Sequence, residues 1–180
     1  MSIEILSLQR ALPVDTERLH RHARLALEAV GQDHCDLSLV LVNDKRMREL
    51  NRTYRGKAST TDVLSFEGPP GSPPRMPRFL GEIVISVPRA HRQAMTAGLS
   101  PEDELSNLLI HGVCHLLGFD HERGEEDQRI MKAEEEKIAR HIRRKEGQGG
   151  EGITGKIPEG TGDIDPSDGK RVAQGRKGMS

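Results

Sequence analysis

Tryptophan is absent, and only Tyr54, Phe66, Phe79 and Phe119 carry aromatic rings. A core must therefore be assembled from Leu, Ile and Val. Four scattered rings are also too few for a platform on which nucleic-acid bases stack. Cysteine is almost missing. Cys35 and Cys114 lie far apart, which excludes a disulfide-stapled scaffold and suits reduced thiols in a cytosolic protein. No apolar run approaches the ~18–20 residues that span a bilayer, so no membrane partner is expected. The opening stretch MSIEILSLQR has no basic region followed by an apolar one, so a secretory signal is not expected either. Net charge is only −1. That removes any global basic signal for nucleic acid, but a local basic face stays open.

What is present changes character near residue 146. From Gly147 to Ser180 there is no Leu and no aromatic residue, and ten of the nineteen glycines fall there. Such a segment buries too little apolar surface to offset its ordering entropy, so 147–180 is expected to be a disordered Gly-rich tail on a domain spanning 1–146. Within that domain strands and helices alternate. Ile3, Ile5 and Leu8 open a first strand. Asp15 or Thr16 starts a helix with Leu19, Ala23, Ala26 and Val30 on one face, stopping near Gly31. DLSLVLV, residues 36–42, reads as a buried strand. Asn43 or Asp44 caps a short helix that turns Met47, Leu50 and Tyr54 inward. VLSF at 63–66 and LGEIVIS at 80–86 are strands. Between them EGPPGSPPRMPR, residues 67–78, must be irregular. Pro88 suits the first turn of another helix. Ser100 caps a helix over 101–117 that buries Leu105, Leu108, Leu109, Val113 and Leu116 and ends at Gly118. A charged helix follows at 125–144, with Ile130, Met131, Ala133, Ile138 and Ile142 apolar. Strands and helices mixed in this way give an α+β or α/β fold. The expected architecture is α+β, a small mixed β-sheet of about four strands packed with about five helices.

The stretch HGVCHLLGFDH, residues 111–121, holds three histidines. His111 and His115 are i and i+4 on the helix, so their rings point the same way. Gly118 lets the chain turn so that His121 can face the same point. Three neutral imidazoles form a common zinc shell with one position left open. Bound metal would lower the pKa of water toward neutrality. The spacing is that of zinc peptidases of the zincin type, which carry a glutamate base beside the first histidine. Here Gly112 stands in that place. Asp120 and Glu122 flank His121 but lack the right helical position. The site reads as hydrolytic, on a zincin-like metal helix, with the usual peptidase route disfavoured. The remaining histidines (His20, His22, His34, His91, His141) read as surface or structural.

These residues resemble the signature of the YbeY family of single-strand-specific endoribonucleases. LNRTYRGKASTTDVLSF at 50–66 and LGEIVIS at 80–86 match two further family segments in order. Departures are Glu82 where the family usually has Asp, Thr60 where it usually has Pro, and Ala58 in place of an acidic residue. The resemblance implies a metal-dependent endoribonuclease in the cytoplasm, acting in maturation of the 16S rRNA 3′ end and late-stage 70S ribosome quality control. It implies one Zn2+ ion per chain on His111, His115 and His121, and Arg55 as the functional arginine. Partners would be single-stranded RNA, 16S rRNA, the ribosome or ribosomal proteins, with no DNA expected.

A physical argument for Arg55 runs beside that. Phosphodiester cleavage gathers negative charge on non-bridging oxygens, which a planar guanidinium matches in pairs. Residues 45–57 carry six bases (Lys45, Arg46, Arg48, Arg52, Arg55, Lys57) against Asp44 and Glu49, a local net of +4. Residues 101–136 run the other way, with eleven acids against three bases. Arg55, Lys57 and Arg52 are the candidates for binding substrate; Arg55, His111 and His115 are those for catalysis. The alternatives are a zincin-like metallohydrolase acting on peptides, and a non-catalytic ribosome-binding module with structural zinc.

Overall fold

The structure is a computed structural model and describes residues 1–69, 78–119 and 124–148. Four strands form one mixed sheet: β1 (Ile3–Ser7), β2 (Asp36–Val42), β3 (Val63–Glu67) and β4 (Phe79–Ser86), in the order β1-β2-β4-β3. The first three neighbours run parallel, and β3 pairs antiparallel with β4 along one edge. Among the described residues five helices accompany the sheet: α1 (Thr16–Ala29), α2 (Asp44–Arg55), α3 (Val87–Ala97), α4 (Pro101–Leu116) and α5 (Glu125–Gln148). The expected α+β architecture is what the chain adopts.

Helix starts follow the capping chemistry of the sequence. The carboxylate of Asp15 accepts from the N–H of Arg18, Asn43 Oδ1 from Arg46 N–H, and Ser100 Oγ from Asp103 N–H. Each satisfies a backbone donor that the first turn leaves orphaned. Alternation along the strands then divides the core. Leu37, Leu39, Leu41, Ile83, Ile85 and Val63 face α1, α4 and α5, in the main core. Val42, Leu64 and Val84 face Met47 of α2 in a smaller cluster. His22 of α1 is buried between Ser106 of α4 and Glu146 of α5, at 2.7 Å from each, and so ties three helices together.

Some expectations need correction. Tyr54 is 64% exposed, and only its edge touches Phe66. Asn51 takes the inward place, because it donates to the carbonyl of Ser59 at 2.7 Å and anchors the loop after α2. On α5, Met131, Ile138 and Ile142 are buried, but Ile130 and Ala133 face outward. That helix runs to Gln148, past the expected end at 144 and two residues into the expected tail. The rest of that tail lies outside the described residues, as do positions 70–77 of the proline-rich loop.

Asp62 fixes the approach to β3. Its carboxylate accepts from Val63 N–H (2.9 Å), Thr61 Oγ1 (3.1 Å) and, across to α3, Gln93 Nε2 (2.8 Å). Its carbonyl accepts from Ser86 N–H. Burial pushes this carboxyl up, but the Gln93 amide, local backbone N–H groups and the Thr61 hydroxyl together hold it below its ordinary 3.8. A carboxylate depressed in the folded state contributes stability that is whole above its unfolded pKa and is lost as pH falls through the folded value. Asp62→Asn should therefore cost about 1–3 kcal/mol at neutral pH. It should also flatten the loss of stability between about pH 5 and pH 2. Urea midpoints measured across that range check both effects.

Candidate functional site

Between the C-terminal end of α2, the loop leading to β3 and the second half of α4 lies a cleft of about 710 Å³. Its walls carry Arg55, Lys57, Asp62, His111 and His115. Two segments well separated in the chain are thus brought to one cavity. Arg52 does not line it: one turn before Arg55, it stands exposed on α2.

His111 and His115 meet edge to face, with ring centroids 4.6 Å apart and the planes at 82°. Their Nε2 atoms lie 3.0 Å from each other. Behind the first ring, Nδ1 of His111 lies 2.7 Å from Oε1 of Glu135 on α5. A carboxylate can only accept, so Nδ1 carries the proton and the lone pair of Nε2 faces His115. Histidines that bind metal use this arrangement, a second partner fixing the tautomer and aiming the ring. Two nitrogens across a tetrahedral zinc sit roughly 3.3–3.4 Å apart, given Zn–N bonds of about 2.0–2.1 Å. The pair here is a few tenths of an ångström tighter. In donor type and direction His111 and His115 fit a divalent ion. His121, with its neighbours Asp120 and Glu122, lies outside the described residues, and among the described residues no third donor group completes a metal cluster. Gly118 has φ +86° and donates its N–H to the His115 carbonyl, ending α4 as a left-handed residue should. Cys114 is no competitor as a ligand: it is fully buried, and burial pushes its thiol up to about 12.

Gly112 has a structural explanation. A Cβ built there would stand 2.8 Å from Cγ2 and 2.9 Å from Cδ1 of Ile83 on β4. Beside Ile83 in the register sits Ser65 of β3, whose hydroxyl reaches the Gly112 carbonyl at 3.3 Å. Position 112 is where α4 rests on the sheet. It faces the core, while the histidines face the cleft. Glu135 lies in a run of three glutamates, which masks it in the sequence; its spacing of four from Met131 and three from Ile138, both buried, places it on the inner side of α5 together with Glu134.

The family model described as Endoribonuclease YbeY matches residues 4–143. The chain is 43% identical over 119 residues to an Endoribonuclease YbeY of Aquifex aeolicus, covering 66% of this chain and 78% of that one. It is 42% identical over 145 residues to the Pelotomaculum thermopropionicum protein of the same name, covering 77% and 95%. A solution structure of a Thermotoga maritima protein shares the fold, with a TM-score of 0.55 and 24% identity over 86% of this chain and 99% of that one.

Restoring a peptidase-like carboxylate by Gly112→Glu should fail structurally. The side chain would enter the α4–sheet seam, and an unpaired buried charge there should cost about 3–5 kcal/mol. Chemical denaturation of the variant checks this, and a retained stability would refute the packing account.

Proposed function

The chain belongs to the YbeY family of endoribonucleases, and we propose that it cleaves single-stranded RNA at the cleft shared by His111, His115 and Arg55. As a family member it is a hydrolytic endoribonuclease acting on RNA; the assignment of residues and metal is our reading. The observation that carries it is the meeting, in one cavity, of a carboxylate-oriented imidazole pair and a guanidinium from a remote segment.

In this reading His111, His115 and His121 hold one Zn2+ per chain. A divalent ion held there supplies Lewis-acid chemistry and lowers the pKa of water toward neutrality. Glu135 keeps the proton on Nδ1 of His111 and so keeps Nε2 available as a donor to the ion. Arg55 binds the scissile phosphate and offsets the charge that builds on its non-bridging oxygens. Lys57, two residues further on in the same cleft, adds a second positive group. Asp62 anchors the end of the loop that runs from α2 to β3. The peptide-hydrolase alternative has the histidine spacing in its favour but lacks the base, since position 112 is a glycine packed on Ile83. The proposed setting is the cytoplasm, with 16S rRNA 3′-end maturation and late-stage 70S quality control as the tasks; the support is the family resemblance. We likewise assign 1–146 as the endoribonuclease domain and 147–180 as an appended tail.

Metal content and cleavage of a single-stranded RNA should be measured together on three proteins. Wild type should carry about one zinc per chain and cut. His115→Ala should lose both properties. Arg55→Ala should keep its metal and lose roughly 10²–10³-fold in cleavage rate. Full activity in both variants would sink the proposal. Glu135→Gln should weaken zinc binding by about 10–100-fold in a competition titration.

A further inference from the structure

Helix α2 carries more positive charge than the cleft uses. Lys45, Arg48, Arg52 and Arg55 follow one another at intervals of three, four and three residues, and all four are exposed. At 100° per residue they fall within an arc of about 80°, a single stripe some 15 Å long at 1.5 Å per residue. One end of the stripe, Arg55, lies in the cleft wall. The other end reaches the start of the helix.

Helix α2 also carries two acids, Asp44 and Glu49. Both are engaged elsewhere. Asp44 accepts from Ser86 Oγ at 2.6 Å and Arg92 at 2.7 Å. Glu49 has Lys45 four residues before it and Arg52 three after, yet pairs at 3.2 Å with Arg46 on the other flank. Among the described residues no carboxylate pairs with any of the four stripe residues; other exposed bases such as Arg21, Arg24, Lys132, Arg140 and Arg143 share that property, and what sets the four apart is their alignment on one helix face that ends in the cleft. Lining up four uncompensated charges costs self-repulsion, which a bound polyanion would relieve. Successive side chains advance by about 4.5–6 Å along the helix axis, a ladder suited to consecutive phosphates of one extended strand. The aromatic poverty of the surface favours backbone contacts over base stacking.

We propose that Lys45, Arg48, Arg52 and Arg55 form a phosphate track along α2 that holds the single-stranded RNA flanking the scissile bond. The proposal rests on the endoribonuclease reading of the cleft and extends it: the substrate is a strand several nucleotides long, gripped without regard to sequence on one side of the cut. It also gives Arg52 a role outside the cleft.

The test is binding of a fluorescein-labelled 12-nucleotide oligouridylate to the full chain by anisotropy, titrated with salt, alongside cleavage of the same RNA. Each lost phosphate contact on a single strand lowers the slope of log K against log[salt] by about 0.7. K45Q/R48Q should therefore reduce the slope by about 1.4 and weaken binding on the order of tenfold near 0.1 M salt. R140Q/R143Q, which removes the same charge from α5, should change neither. Wild-type slope and affinity in K45Q/R48Q, or equal loss in both double variants, would overturn the track. So would wild-type protein that ignores the RNA and binds polyglutamate, the mark of an acidic protein partner. Absence of cleavage by the wild type, with the slope change intact, would refute the endoribonuclease reading and leave the track standing.

Discussion

The seam between α4 and the sheet at Gly112 is the constraint on which the site depends. With no side chain at that position, the helix backbone comes down onto Ile83 and the Ser65 hydroxyl. Contact at Gly112 leaves His111 and His115 on the shoulder of the helix, above the edge strand β3. Anything larger would lift α4 and carry both imidazoles away from the loop that follows α2. The residue that first reads as a gap in a peptidase motif is the one that sets the height of the imidazoles over the cleft.

Charge is arranged around that seam in two different ways. Two acids near the site are satisfied locally: Asp62 by three donors within bonding distance, Glu135 by the ring of His111. They act as fixed braces whose charge is already spent on neighbours. The four stripe bases of α2, Lys45, Arg48, Arg52 and Arg55, have no such partners among the described residues. A site built this way orients its own groups internally and presents its unbalanced charge to whatever approaches from solvent.

Much of this was legible in the sequence, because it depends on short-range rules. The caps Asp15, Asn43 and Ser100, the strand alternation, the i, i+4 histidines and the turning Gly118 all act within a few residues. Tyr54 and Asn51 show where such rules stop. Hydrophobicity assigns the tyrosine to the core, but the hydrogen bond to Ser59 places the asparagine there, and that bond exists only once the following loop has folded back. Glu135 is similar. Its spacing from Met131 and Ile138 sets it on the inner side of α5, but Glu134 shares that side; only the docking of α5 on α4 chooses which of the two meets His111. Arg52 shows the limit from the other side, since its charge was plain in the sequence but its place outside the cleft follows from the path of α2.

Helix α5 holds two buried or half-buried histidines with two of its own carboxylates: Glu135 behind His111 and Glu146 beside His22. Both of those rings belong to helices that precede α5 in the chain, in one case by 124 residues. During synthesis α1, α4 and the whole sheet leave the ribosome before either glutamate does. Until α5 has emerged and docked, Glu135 does not stand behind the imidazole of His111 and Glu146 does not clasp α1 to α5. The proposed site is therefore among the last parts of the molecule to be finished, because both of these clasps wait for α5.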